Sequence, residues 1–291
     1  MTFRVRALKI RFATKTGEIN GQQGGIVDLA GYRAEVIVTN PGGGLAVGQL
    51  QMRIFGMKLS DMNAFSTDGL NALAVRGDMV TVSAGDLGGK IQQLFEGTIF
   101  AAYIDFSASP EVSFNVSATT GYIDKIKPTS PNSYKGAVNV ADTIKALAEP
   151  LGYTVKNNGV TATLSNPYLS GSAMDQIMSL IDQSGIAWAL ENNELAIWPS
   201  EGYRDDRVVA IGPTTGMIGY PTFTSNGIQV RAEYNPEVGI GRRIQVSSVI
   251  PKACGTWCAA KVDHELSTLQ PGGAWYTTLQ LVNQGYYVSR L

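Results

Sequence analysis

The chain has a single histidine, two cysteines and few charges, with 23 Lys and Arg against 24 Asp and Glu in 291 residues and a net charge of −1. With one histidine there is no His-Glu-x-x-His metal site, and any Ser-His-Asp system has to run through His264. Cys254 and Cys258 stand four positions apart, which is not C-x-x-C redox spacing, and two thiols alone do not complete a zinc site. No Lys or Arg run and no basic excess is present to neutralise phosphates, which excludes sequence-specific reading of duplex DNA. The longest apolar runs, such as Ile99-Phe-Ala-Ala-Tyr-Ile104, fall far short of the roughly 18 residues of a membrane span. Met1-Thr-Phe-Arg-Val-Arg-Ala-Leu-Lys-Ile lacks the apolar core and cleavage site of a signal peptide. The expectation is synthesis and retention in a cytoplasm, with both cysteines as reduced thiols.

What remains is hydrophobic patterning, at 44% of the residues, enough to bury a large core in two or three domains. From Met1 to about Thr120 the period is two. Phe3, Val5 and Ala7 share one parity, then Leu8, Ile10 and Phe12 the other, a phase change that predicts a β-bulge in the first strand. Alternating runs follow at Ala34–Val38, Leu50–Ile54, Met79–Val82, Leu94–Phe106 and Val112–Val116, the spacing of a barrel or sandwich. Leu59, Met62 and Phe65 recur every third residue, which predicts one short helix that plugs an end of the barrel. The glycine-rich stretches Gly21–Gly25 and Pro41–Gly44 lead into no Gly-Lys-Ser/Thr at a helix start. They read as hairpin loops, not phosphate loops.

From about Gly121 to Ser200 the period becomes helical. Asn139 caps a helix with Asp142 three positions on, Val140, Ile144, Leu147 and Leu151 form its apolar stripe, and Gly152 stops it before a strand at Tyr153–Val155. The pattern then repeats with Ser172 as cap, Asp175 at the third position, the stripe Met174, Ile177, Met178 and Ile181, a stop at Gly185 and a strand at Ile186–Leu190. Asn192-Asn193 turns that strand into Leu195–Trp198. A compact α/β lobe with helices on a small sheet is expected.

The last third returns to strands. Ile228, Val230, Ala232 and Tyr234 alternate with polar neighbours, as do Ile244, Val246 and Ser248, and Asn235-Pro236 with Gly239 and Gly241 supply a turn. An antiparallel pair joined by that turn is predicted. The order of landmarks is Gly219-Tyr220-Pro221, Asn235-Pro236, Ile240-Gly241, a strand ending in Ser248, His264-Glu-Leu266, and Gly272-Gly273-Ala-Trp275-Tyr-Thr277. It resembles the second barrel of the baseplate or tail-tip hub proteins of tailed bacteriophages, the late control protein D-like family.

Candidate chemistry is sparse. His264 is flanked by Asp263 and Glu265, which point to the opposite face of a strand, so it reads as a hydrogen-bonded strand residue at a barrel rim. Glu191 and Glu194 flank a hairpin turn, and Asp205-Asp206 lie between Arg204 and Arg207. Facing carboxylates across a cleft do glycoside hydrolysis, but a hairpin tip and a polar loop predict solvated charges. Trp188 and Trp198 on the two strands of one hairpin either stack a sugar or, by the reading preferred here, pack across the strands beneath the helices.

The expected fold is α+β, mainly β: small tube-type β-barrels at 1–120 and 201–291 flanking an α/β lobe at 121–200. No catalytic, cofactor-binding or metal-binding residue is assigned and no cofactor is expected. The resemblance implies a structural virion protein, a homotrimeric hub in a pseudo-sixfold ring between the tail tube and the central spike, through which DNA passes. The tube protein or its initiator, the spike and the tape measure protein are the implied partners, and the virion tail, assembled in a host cytoplasm, the implied location. The alternatives are a cell-wall-degrading enzyme at Glu191 and Glu194, or a carbohydrate-binding module.

Overall fold

Leu8, Ile10 and Phe12 alternate with Lys9 and Arg11, and strand Arg6–Ala13 buries the first set and leaves the second outside. The computed structural model describes residues 5–15, 18–19, 22–23, 25–42, 47–67 and 76–283, and the structural statements below concern these. Among the described residues 51% are strand and 15% helix, so the chain is mainly β as its periodicity predicts. Its described residues form two compact units. The first lies within Met1–Thr39, Gly48–Thr120 and His264–Tyr276; the second lies within Asn40–Val47, Gly121–Asp263 and Thr277–Leu291.

In the first unit, Arg33–Pro41, Gln49–Phe55, Ser113–Thr119, Ile91–Asp105, Met79–Asp86, Arg6–Ala13 and Ile26–Ala30 lie side by side in that order, each antiparallel to its neighbour. The strand that ends at Thr268 joins the other side of Arg33–Pro41. There the Thr268 hydroxyl donates to the Tyr32 carbonyl at 2.9 Å. Among the described residues this order runs from edge to edge, and the barrel closure expected of the two β-regions is not found.

The bulge expected in the first strand is also absent. Arg6–Ala13 pairs with Met79–Asp86 in unbroken register, Val5 is exposed, and Phe3 lies outside the described residues. The irregularities fall at Val82/Ser83 and Ile99/Ala101 instead. Ala7 is small enough to sit half-exposed on the outer face, so the change of parity needs no kink. Helix α1 (Leu59–Phe65) forms where expected, and its Phe65 ring lies 4.9 Å from that of Phe12. Both rings are fully buried, which contributes about 2–3 kcal/mol each. Of the glycine-rich stretches, residues 18–19 and 22–23 pair as a tiny hairpin; Gly21, Gly24, Gly43 and Gly44 lie outside the described residues.

The second unit is built around a hairpin buried on both faces. Helix α2 is Tyr122–Ile126, α3 is Val140–Ala148 and α4 is Ala173–Ser184. Asn139 caps α3 by accepting from the Asp142 N–H at 3.1 Å. Ser172 and Asp175 form a reciprocal capping box on α4, worth about 1 kcal/mol. Gly152 and Gly185 stop the chain in left-handed conformation at φ 86° and 62°, as the stop signals require. Strand Thr154–Asn157 runs parallel to Glu194–Pro199, which pairs antiparallel with Ile186–Glu191.

Alternation along that hairpin sorts its residues. Ile186, Trp188, Leu190, Leu195 and Ile197 join the core under α3 and α4. Ala187, Ala189, Ala196 and Trp198 face a second core with Val209, Ile228, Ile244 and Leu279.

The β part of this unit does not contain the pairing read from the sequence. Strand Gly227–Glu233 pairs with Met217–Thr224 on one side and Trp275–Val282 on the other. Strand Arg243–Val246 pairs in parallel with Val208–Ile211 and antiparallel with the start of Gly255–Thr268. Residues 234–242 are therefore a connection rather than a hairpin turn. Gly227 is required at its position, because a Cβ there would stand 2.0 Å from the Leu281 carbonyl oxygen.

Candidate functional site

Register decides the chemistry at the hairpin tip. Glu191 and Glu194 are paired directly opposite each other, and like charges in that relation repel. Arg204 resolves this: its Nη1 contacts Glu191 Oε2 and its Nη2 donates to Glu194 Oε1 at 3.2 Å. The Arg204 side chain is 5% exposed and those of Glu191 and Glu194 are 17% and 26%, so the tip is covered, whereas the sequence predicts solvated charges.

The cover is the 234–242 connection. The Arg204 N–H donates to the Gly241 carbonyl at 2.8 Å, and the Ile240 N–H donates to Glu191 Oε1 at 3.3 Å. A Cβ at Gly239 would stand 3.2 Å from Glu191 Oε2 and 3.4 Å from Arg204 Nη1. Lys156, from the neighbouring parallel strand, places Nζ 2.6 Å from Glu194 Oε2. Arg242 reaches Asp205 Oδ2 through Nε at 3.0 Å and the Glu237 carbonyl through Nη1 at 2.6 Å. Asp205 is thereby held, whereas Asp206 is exposed and 3.7 Å from Arg243 Nη2.

The electrostatics follow from this crowding. Burial raises the Glu194 pKa, but the ion pairs with Lys156 and Arg204 outweigh it and hold the carboxyl below its ordinary value. Burial works against the Arg204 charge, yet Glu191 and Glu194 together push its pKa up. A glycosidase acid has to carry its proton near neutral pH. Glu194 is held ionised instead, and both carboxylates are spent on one guanidinium. The pair is a clamp that ties a hairpin tip to a loop.

Trp188 and Trp198 are buried, at 6% and 0% exposure, and neither presents a ring for stacking a sugar. They also do not pack on each other: Trp188 pairs with Ile197 and Trp198 with Ala187, so the indoles leave the hairpin on opposite faces. Only Trp188 lies beneath the helices. His264 is buried in strand Gly255–Thr268, with half-exposed neighbours Asp263 and Glu265 on the other face. Lys261 pairs with Asp263 at 2.8 Å, and the Tyr276 hydroxyl donates to Glu265.

Cys254 is exposed and Cys258 buried, and both are free. Burial pushes the Cys258 thiol up to about 12. Among the described residues no group of three His, Cys, Asp or Glu side chains is placed to hold a metal, and no helix is long and apolar enough to cross a membrane.

Sequence reading found Glu191, Glu194, Arg204 and Asp205 as charges but missed their union, along with Lys156, Ile240 and Arg242. It also missed Gln176, fully buried on α4, whose amide donates to the Ser130 carbonyl at 3.0 Å and accepts from Asn132 at 2.7 Å. A polar residue inside an apolar helix stripe is the one local signal available.

The landmarks Asn235-Pro236 and Ile240-Gly241 thus build the loop that closes the clamp. The family model described as "Baseplate hub gp41" matches residues 43–277. The chain belongs to that baseplate hub family. Solved structures agree on the fold of this hub chain. The 43 kDa tail protein of prophage MuSo2 from Shewanella oneidensis is 10% identical, covers 98% of both chains and superposes with a TM-score of 0.64. The tail protein from Neisseria meningitidis MC58 is 10% identical over 97% of this chain and 98% of its own, at 0.60. The E. coli c3393 protein is described as a component of the type VI secretion system with structural similarity to T4 bacteriophage tail proteins gp27 and gp5. It is 10% identical over 89% of this chain and 76% of its own, at 0.58. No curated protein matches the hub chain.

Proposed function

We propose that this chain is the structural hub at the end of a phage tail tube, or of a related contractile injection machine, and that it acts without catalysis. The family model across residues 43–277 carries this reading. Three copies form a ring in which the β-regions at 1–120 and 201–291 alternate, six in all, with the 121–200 lobe outside. A threefold ring of six similar β-regions mates with a sixfold tube on one side and a threefold spike on the other. The tape measure protein is a further neighbour within the tube.

DNA passes through the ring. A near-neutral lumen suits passage, since a basic one would hold phosphate and stall it. The hub is built in the host cytoplasm and ends in the virion tail. The covered Glu191–Arg204–Glu194 cluster fits this role, because a part that transmits load needs loops fixed to its core.

Size-exclusion chromatography with light scattering tests the reading. The expected mass is that of three chains, with dissociation on dilution because association depends on concentration. A chain that stays monomeric at every concentration, alone and with its tube protein, defeats it.

A further inference from the structure

Within the second unit, residues 128–139 and 163–172 run antiparallel as a two-stranded ribbon. Pro128 bridges to Ser172, Asn132–Ser133 pairs with Tyr168–Leu169, and Ala137–Asn139 pairs with Thr163–Ser165. One face of the ribbon turns inward, where Leu169, Tyr134 and Leu164 pack on the core under α3 and α4. The other face is in water, with Ser133, Lys135, Thr163 and Ser165 exposed and Tyr168 at 64%. Buried Gln176 holds both strands: its Nε2 donates to the Ser130 carbonyl at 3.0 Å and to the Gly171 carbonyl at 3.4 Å, and its Oε1 accepts from Asn132 at 2.7 Å. Pro128 and Pro131 remove further backbone freedom. The outer face is therefore preorganised, which lowers the entropic cost of binding to it.

That face carries charge of one sign. Residues 125–141 contain Lys125, Lys127 and Lys135 and no acid, and residues 157–174 contain no charge at all. The three lysines are exposed, and none forms an ion pair with a described residue, unlike Lys145 with Glu149 and Lys156 with Glu194. The acids that bound these stretches are engaged or set apart. Asp124 accepts from the Tyr153 hydroxyl and Asp175 from the Ser172 N–H. Asp142 lies in the first turn of α3, where the helix dipole favours negative charge. A surface of one sign steers and orients a partner of the other.

The geometry also selects the kind of partner. From Lys127 to Lys135, at about 3.3 Å per residue, the backbone spans up to about 26 Å, the reach of an extended segment of about eight residues. The ribbon has no arginine to grip phosphate in bidentate fashion. It exposes one aromatic ring, where a single nucleic-acid strand needs successive stacking platforms.

We propose that this ribbon docks an extended acidic segment of a partner protein, with Lys125, Lys127 and Lys135 taking its carboxylates and the Tyr168 hydroxyl donating to it between them. The ribbon lies inside one unit, so the docking does not depend on the ring reading.

Fluorescence anisotropy on the full chain tests it, with a labelled octapeptide of alternating glutamate and serine as the probe. Binding that weakens as salt is raised is expected. Lys125→Gln, Lys127→Gln and Lys135→Gln together should weaken it about tenfold, since each exposed pair contributes little alone. Lys9→Gln, Lys90→Gln and Lys252→Gln together remove the same charge from other exposed positions and should leave binding unchanged. Urea unfolding checks that both triple variants keep the parent stability.

An equal loss in the two triple variants would mean diffuse attraction and overturn the proposal, as would a parent chain that does not bind the peptide at low salt. Tighter binding of an oligothymidylate of equal length would overturn it in favour of a nucleic acid. Each of these results leaves the trimer measurement, and with it the ring reading, untouched.

Discussion

Gly241 lies against Trp198 so closely that a Cβ on the glycine would stand 2.3 Å from the indole Cζ2, at a backbone φ of 77°. Trp198 is fully buried and has no room to retreat. Gly241→Ala should therefore cost about 2–4 kcal/mol, combining overpacking with a left-handed backbone that alanine resists. Urea unfolding of the two proteins measures it. A loss under about 0.5 kcal/mol would mean that the loop slides freely and is not clamped.

Arg204→Met leaves Glu191 and Glu194 facing each other with one shared counter-ion removed. Breaking such a covered pair should cost about 3 kcal/mol. Replacing all three at once, Arg204→Met with Glu191→Leu and Glu194→Leu, should cost less than the single change, because no uncompensated charge remains. If the triple variant is the less stable of the two, the cluster is not acting as an ionic clamp.

Acid should open the same cluster. Glu194 has its folded pKa below the ordinary value of 4.5. A group with a depressed folded pKa adds stability above its unfolded pKa, and that contribution is lost as pH falls through the folded value. Stability followed from about pH 7 to pH 3 should drop steeply at the acid end in the parent chain and less steeply in Glu194→Gln. Equal slopes would remove Glu194 from the account.

The two thiols should react at different rates. Cys254 is exposed, while Cys258 is buried with its pKa pushed up to about 12. The thiolate is the reactive form. An aromatic disulfide reagent should titrate one group in the folded protein and a second only after denaturation. No reactive group after denaturation would mean that the cysteines are bonded.

Periodicity by itself determined the elements that depend on neighbours in the chain. Helices α3 and α4, their caps at Asn139 and Ser172, their stops at Gly152 and Gly185 and the 186–199 hairpin all form where the spacing places them. Caps and turns are local, since each bond joins residues a few positions apart. Alternation also marks which residues of a strand share a face. It does not say which strand lies alongside: Ile228 and Ile244 sit on strands of similar pattern that do not pair with each other.

Only the tertiary structure decided the clamp. Glu191 and Glu194 flank a turn that any local reading leaves in water, and Arg204 stands between Tyr203 and Asp205-Asp206 with nothing to single it out. The partners Lys156, Ile240 and Gly241 come from segments 35 or more positions away from Glu191, and they converge because one hairpin has both faces buried. A hairpin wet on one face leaves its tip charges solvated. Here the alanines at 187, 189 and 196 make room on the second face for Trp198 and the loop that covers it. That burial draws the tip carboxylates out of full solvation and onto one buried guanidinium.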